Sequence, residues 1–196
     1  MPANSPAILT APPAPLDRLR NGDLPWPFQL AAIAGFALLT AAGAKINLPL
    51  WEEVPFTLQT VFVYGSGLFL GAGRGALAQL LYLAAGLFWP VTAGEGSGFA
   101  YLTGRVSSGY LLAFPLVAAV CGYASARWNS FWGSMLSAEL GSLVLFLCGF
   151  HWLYAALGSL SWGEAFYYGW IKYLPFDLAK IILTAYLYQL ARKQFV

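Results

Sequence analysis

Tyr173-Leu174-Pro175-Phe176-Asp177-Leu178-Ala179-Lys180-Ile181-Ile182-Leu183 is an apolar run that carries one acid and one base. A charge at membrane depth costs about 2.5 kcal/mol or more even on lenient insertion scales. A chain keeps such charges where they pair, face a cavity or hold something. On a helix, positions three apart project from one face, so Asp177 and Lys180 share it. Tyr173 and Thr184 extend the same polar stripe. The stripe predicts a bundle of membrane helices with a small polar molecule held between them.

The rest of the chain agrees with a membrane setting. Of 196 residues, 59% are hydrophobic and 9% charged, whereas about a quarter of a soluble domain is charged. The mean hydropathy is +0.65. A net charge of +2 without a basic run gives no footing for nucleic acid. Cys121 and Cys148 sit in different apolar segments and suit small core residues better than a zinc site or a disulfide framework. Residues 1–27 differ from the remainder, holding seven of the twelve prolines. They are read as a loosely ordered cytoplasmic tail, and not as a secretory signal, because no apolar core precedes Pro25.

Outward from the quoted run, residues 28–196 read as an all-α bundle of six membrane spans. The expected spans are Phe28–Leu48, Thr57–Ala72, Gly75–Val91, Gly109–Ala126, Phe131–Leu157 and Tyr173–Leu190. The second and third are joined by a tight turn at Gly71-Ala72-Gly73-Arg74-Gly75. Six spans put both termini on one side, together with Arg18, Arg20, Arg74, Arg127, Arg192 and Lys193. Glu52, Glu53, Glu95 and Glu164 fall opposite, with Arg105 and Lys172 as the bases there. Positive charge marks the cytoplasm, so both termini are expected inside and the Asp177 end of the last span outside. The glycine-rich loop 92–108 and the stretch Trp51–Thr57 reach the same outer mouth.

Several stretches together resemble one family. Val54-Pro55-Phe56-Thr57-Leu58-Gln59-Thr60 resembles the Val-Pro-x-Thr-Leu-Gln signature of the BioY family, the biotin-specific substrate-binding components of energy-coupling factor transporters. The Ala-Gly-x-Gly-x-Gly run at 93–98, which includes Glu95 and Gly96, is similar to its glycine loop. Pro175-Phe176-Asp177-Leu178-Ala179-Lys180 resembles its closing block. The resemblance runs through residues 28–190 in order. It departs at Gly104-Arg105-Val106-Ser107-Ser108-Gly109-Tyr110, where the family often reads Gly-Pro-Thr-Gly-Gly-Tyr.

The resemblance implies a plasma-membrane, high-affinity biotin-binding component of a vitamin uptake system, its ligand pocket near the extracellular side, with biotin as transported ligand and no cofactor. Its implied partners are a transmembrane coupling subunit and two ATPase subunits. The chain itself has no Gly-x-x-x-x-Gly-Lys-Ser/Thr phosphate loop. In this transporter class an Ala-x-x-x-Ala pattern on the first helix docks the coupling subunit, and Ala37 with Ala41 is the best match.

Biotin's ureido ring offers two N–H donors and one carbonyl, and Asp177 with Lys180 supply an acceptor and a donor. The alternative is that the two side chains pair with each other and only fix the bundle. The valerate carboxylate wants Arg, Lys or backbone N–H donors, and the ring wants an apolar, aromatic wall. Gln59 and Thr57 either bond the ligand or cap the second span, with capping favoured for Thr57. Glu95 and Arg105 belong to a loop that either lids the site or stays solvated. Tyr82, Tyr101, Tyr110 and Tyr173 are candidate wall residues, while Trp162, Tyr167, Tyr168 and Trp170 read as an interfacial belt. Two rivals remain: a binder of another vitamin such as thiamine or riboflavin, and an intramembrane enzyme. The serine-hydrolase form fails on sequence, because Glu95 occupies the position where Gly-x-Ser-Gly needs glycine before Ser97-Gly98. The single histidine, His151, is read as a packed residue.

Overall fold

Pro27 stands in the first turn of a helix where its missing N–H costs nothing, and the apolar run behind it makes α2 (Trp26–Lys45). The computed structural model describes residues 15–48, 56–128 and 130–194. Before α2 comes α1 (Pro15–Asn21). After it, β1 (Asn47–Leu48) pairs antiparallel with β2 (Phe56–Thr57), Asn47 opposite Thr57 and Leu48 opposite Phe56. The intervening segment, with Glu52, Glu53 and the Val54-Pro55 part of the signature, lies outside the described residues. Then follow α3 (Gln59–Phe88), α4 (Phe99–Thr103), α5 (Ser108–Ser125), α6 (Phe131–Leu157), α7 (Trp162–Gly169), a 3₁₀ turn at Ile171–Tyr173 and α8 (Leu174–Gln194). Among the described residues, four helices are long and apolar enough to cross a membrane: α2, α3, α5 and α6.

α3 is bent back on itself. Gly71 takes φ 78° and ψ 177° inside it, a conformation that a Cβ would oppose. Gln59 and Tyr82 are hydrogen-bonded at 2.6 Å although 23 residues apart. On a straight helix they would be about 35 Å apart. Two arms, 59–70 and 72–88, therefore lie side by side, close to the expected second and third spans. The arms pack on α2 and α5, α5 packs on α6, and α6 and α3 both meet α8. Backbones approach closely at the α3–α5 contact, where a Cβ on Gly67 would overlap the Ala118 carbonyl and Cys121. Small residues at such crossings are what permit tight packing in lipid. Between α2 and the arms, buried Gln79 donates to Thr40 Oγ1 at 3.2 Å and to Ser66 Oγ at 3.0 Å.

Charged side chains gather at the two ends of the bundle, with arginines concentrated at one of them. At one end the Arg74 guanidinium donates to the Arg20 carbonyl and, at 3.0 Å, to Gln29 Oε1. Arg192 Nε lies 3.4 Å from Asp17 Oδ1. At the other end Lys45 donates to the Gly94 carbonyl at 2.9 Å. There too Ser161 caps α7 by accepting from the Glu164 backbone, and the Glu164 carboxylate accepts from the Ser161 N–H at 2.8 Å. That backbone donor, and then the Ser161 hydroxyl, hold the Glu164 carboxyl below its ordinary value.

Four readings need correction. Residues 15–21 are not a loose tail but a helix docked on the bundle. Leu16 is buried with Leu68 and Tyr188, and Arg20 donates to Tyr188 Oη at 2.6 Å, Ser125 Oγ at 2.8 Å and the Gly122 carbonyl at 3.1 Å. Ala37 is buried in the core with Ala41 packed against it. The outward face of α2 carries Ala31, Leu38 and Ala42, with Gly35 open beside them. His151 is not packed inside; it is exposed, with its Nδ1 against the Leu147 carbonyl and its ring beside Phe150 and Trp162. Trp170 leaves the interfacial belt and stacks on Phe146 at 5.7 Å and 6°.

Candidate functional site

The start of α3, the 3₁₀ turn and first turns of α8, the first half of α5, the middle of α6 and the 92–93 loop surround one cavity. Its enclosed part is small, about 90 Å³, within about 710 Å³ of space that takes in the open mouth. Its position follows from the chain. Pro175 tolerates only a first helical turn, so α8 starts beside the mouth and brings Asp177 and Lys180 onto the wall. The β1–β2 pairing brings Phe56 and Thr57 across from them.

Asp177 is 3% exposed. Tyr64 Oη donates to its Oδ1 at 2.9 Å and Ser142 Oγ to its Oδ2 at 2.5 Å. A carboxylate has about four lone-pair sites, so each oxygen keeps capacity for a further donor. Lys180 does not form an ion pair with it within 4.0 Å. Its ammonium sits 4.1 Å from the centroid of the Phe56 ring, an attractive but weak partnership. Both charges thus face the cavity with bonding capacity to spare.

The other expected residues divide. Gln59, Thr57, Arg105, Tyr110 and Tyr173 line the cavity. Thr57 Oγ1 donates to Gln59 Oε1 at 2.9 Å, and Gln59 Nε2 donates to Tyr82 Oη. Thr57 also accepts weakly from the Gln59 N–H at 3.4 Å, a capping contact. Tyr82 stands behind the wall, stacked on Phe114. Tyr110 donates to the Gly169 carbonyl at 2.5 Å and meets the edge of Phe146, which holds the aromatic wall upright. The Arg105 guanidinium lies over Tyr101, 5.0 Å from its centroid, and no carboxylate pairs with it among the described residues. Glu95 is exposed and does not line the cavity. Gly96 packs against the Tyr101 ring, also off the wall.

Sequence reasoning missed several groups. Tyr64 and Ser142 reach Asp177 from helices 113 and 35 residues away in the chain, and a lone Ser or Tyr in an apolar span gives no signal of its target. Thr60 and Thr92 line the cavity with buried hydroxyls that have no partner among the described residues. Thr60 directly follows Gln59 in the signature, so adjacency was the available signal. Chemically, this wall offers a carboxylate, an ammonium, a guanidinium and two idle hydroxyls around an aromatic slot. It suits a small molecule that carries N–H donors, a carbonyl and a negative group.

Comparison with known proteins points the same way. A probable biotin transporter BioY of Lysinibacillus sphaericus is 35% identical over 174 residues, covering 85% of this chain and 88% of that protein. The biotin transporter BioY of Thermotoga maritima is 33% identical over 158 residues, covering 80% and 91%. A crystal structure of the S-component for biotin from an ECF-type ABC transporter shares the fold with a TM-score of 0.78 at 21% identity, over 87% of this chain and 95% of that one. The profile of the BioY family matches residues 20–196, and the chain belongs to that family.

Proposed function

We propose that the chain is the biotin-binding membrane component of an energy-coupled vitamin uptake system. The observation that carries the reading is the pair Asp177 and Lys180, both on the cavity wall and not bonded to each other. Asp177 accepts the ureido N–H groups and Lys180 donates to the ureido carbonyl. Arg105 takes the valerate carboxylate, and the hydroxyls of Thr60 and Thr92 supply further bonds. Phe114, Phe146 and Tyr110 hold the ring system. The names of the relatives support this choice over thiamine or riboflavin. The exposed place of His151, its Nδ1 held against the Leu147 carbonyl, supports a binder over an intramembrane hydrolase.

α2, the two arms of α3, α5, α6 and α8 make six crossings in this reading. The arginine-rich end lies in the cytoplasm and the cavity opens outward, supported by Arg20, Arg74 and Arg192 gathered at the end away from the cavity. A transmembrane coupling subunit and two ATPase subunits supply the energy. A partner docking on α2 meets Ala31, Gly35, Leu38 and Ala42, the residues that point outward.

The test is equilibrium binding of labelled biotin to detergent-purified protein, with thiamine and riboflavin as competitors. Biotin at 100 times its dissociation constant should also stabilise the protein by about 2.7 kcal/mol. Displacement by another vitamin and not by unlabelled biotin would overturn the assignment.

A further inference from the structure

A second cavity lies on the flank of the bundle, away from the first, between α5, α6 and the turn at Gly71. It measures about 740 Å³ and is almost wholly apolar, with Ala119 and Ala124 on its floor and Leu140, Leu143 and Val144 along one wall. One end is different. Tyr123, Arg127 and Trp128 close it. Arg127 Nη2 donates to Tyr123 Oη at 2.6 Å, and the guanidinium lies 4.1 Å from the centroid of that ring. Arg127 has no acidic partner among the described residues. Its Nη1 also donates, at 3.4 Å, to the Tyr123 carbonyl, and the side chain is exposed at the end of the groove.

An apolar groove of this kind stays dry. On the flank of membrane-crossing helices, what meets it is the hydrocarbon of the bilayer. The end group adds chemistry that a hydrocarbon tail alone does not need. A guanidinium matches a phosphate through its fork of donors, and an exposed Trp beside it sits at the headgroup level. Arg20 and Arg74 lie at the same end of the bundle, so the local field favours a lipid with net negative charge. A zwitterionic headgroup would bring a cation against this cluster.

We propose that this flank binds one anionic phospholipid, an acyl chain in the groove and its phosphate on Arg127. The site is independent of the ligand cavity and of its assignment to biotin.

The experiment is native mass spectrometry of the full chain released from detergent. It is titrated with phosphatidylglycerol and, separately, phosphatidylcholine of identical tails. The parent should retain phosphatidylglycerol about fivefold better or more, as one cation at a membrane surface supplies. Arg127→Gln, an exposed change that the fold tolerates, should bring the two lipids to parity. Ala119→Phe fills the groove and should lower retention of both. Ala124→Leu serves the same purpose if the Phe variant does not fold. Equal retention of the two lipids by the parent, or an unchanged preference in Arg127→Gln, overturns the proposal. So does a co-purifying protein chain that the groove-filling variants release while lipid retention stays the same.

Discussion

Asp177→Asn separates the ligand-binding role of this residue from its structural one. The carboxylate accepts from Tyr64 and Ser142 and offers its remaining lone pairs to the cavity. An Asn keeps one acceptor oxygen and turns an NH₂ toward a hydroxyl that now donates. Removing one partner of a buried, hydrogen-bonded charged set costs about 2–5 kcal/mol in affinity, or roughly 30-fold to several thousand-fold. Tyr64→Phe and Ser142→Ala are the controls, since neither side chain lines the cavity. Each deletes one bond to a charged group, worth about 1.5–3 kcal/mol, and each should appear mainly as lower thermal stability. The assay is labelled-biotin binding on monodisperse detergent-purified protein, with thermal unfolding measured on the same samples. A folded Asp177→Asn protein with parental affinity would refute the reasoning, because the carboxylate would then serve the bundle alone.

Lys180→Ala should lose affinity on the same scale with little loss of stability, measured by the same pair of assays. Arg105→Gln should weaken biotin by about 1.5–3 kcal/mol and leave the affinity for biotin amide, which lacks the carboxylate, nearly unchanged; equal losses for both ligands would remove Arg105 from the carboxylate. Arg20→Ala removes the bonds from α1 to Tyr188, Gly122 and Ser125, and should lower the unfolding midpoint without changing biotin affinity. Single cysteines at Glu95 and Arg127, in a background lacking Cys121 and Cys148, test the orientation: an impermeant thiol reagent on intact cells should label 95 and spare 127. The reverse labelling would invert the topology and the importer reading with it.

Much of the bundle was legible because apolar length is a direct physical requirement of the bilayer. The start of α6 at Phe131, its end at Leu157 and the turn at Gly71 follow from that and from glycine's freedom at φ > 0. The Asp177–Lys180 stripe was legible for the same reason, since charge in hydrocarbon is costly. Partners of that stripe were not. Tyr64 and Ser142 are ordinary residues until the helices are brought together. Ala37 shows a second limit: small-x-x-x-small spacing marks a close approach without saying whether the neighbour is another chain or this one. Glu139, within α6 and half-buried, escaped notice because an otherwise strongly apolar span absorbs a single carboxyl in any averaged pattern. α1 was misread because prolines around it dominate the composition of residues 1–27, while its docking rests on a few side chains, Leu16, Asp17, Leu19 and Arg20.

The two charges of the site are anchored differently, and this shapes what the site can tolerate. Asp177 is tied through Tyr64 to the first arm of α3 and through Ser142 to α6, so its oxygens register the positions of these helices relative to α8. Lys180 leans on Phe56, which belongs to β2, pairs with β1 at the mouth and meets the edge of Phe176 on α8 at 5.2 Å. Both charges stand on α8, the acid braced by two other helices and the base lying against an aromatic ring at the rim. A group that presents N–H donors beside a carbonyl meets both charges at once, which neither a simple amine nor a simple carboxylate does.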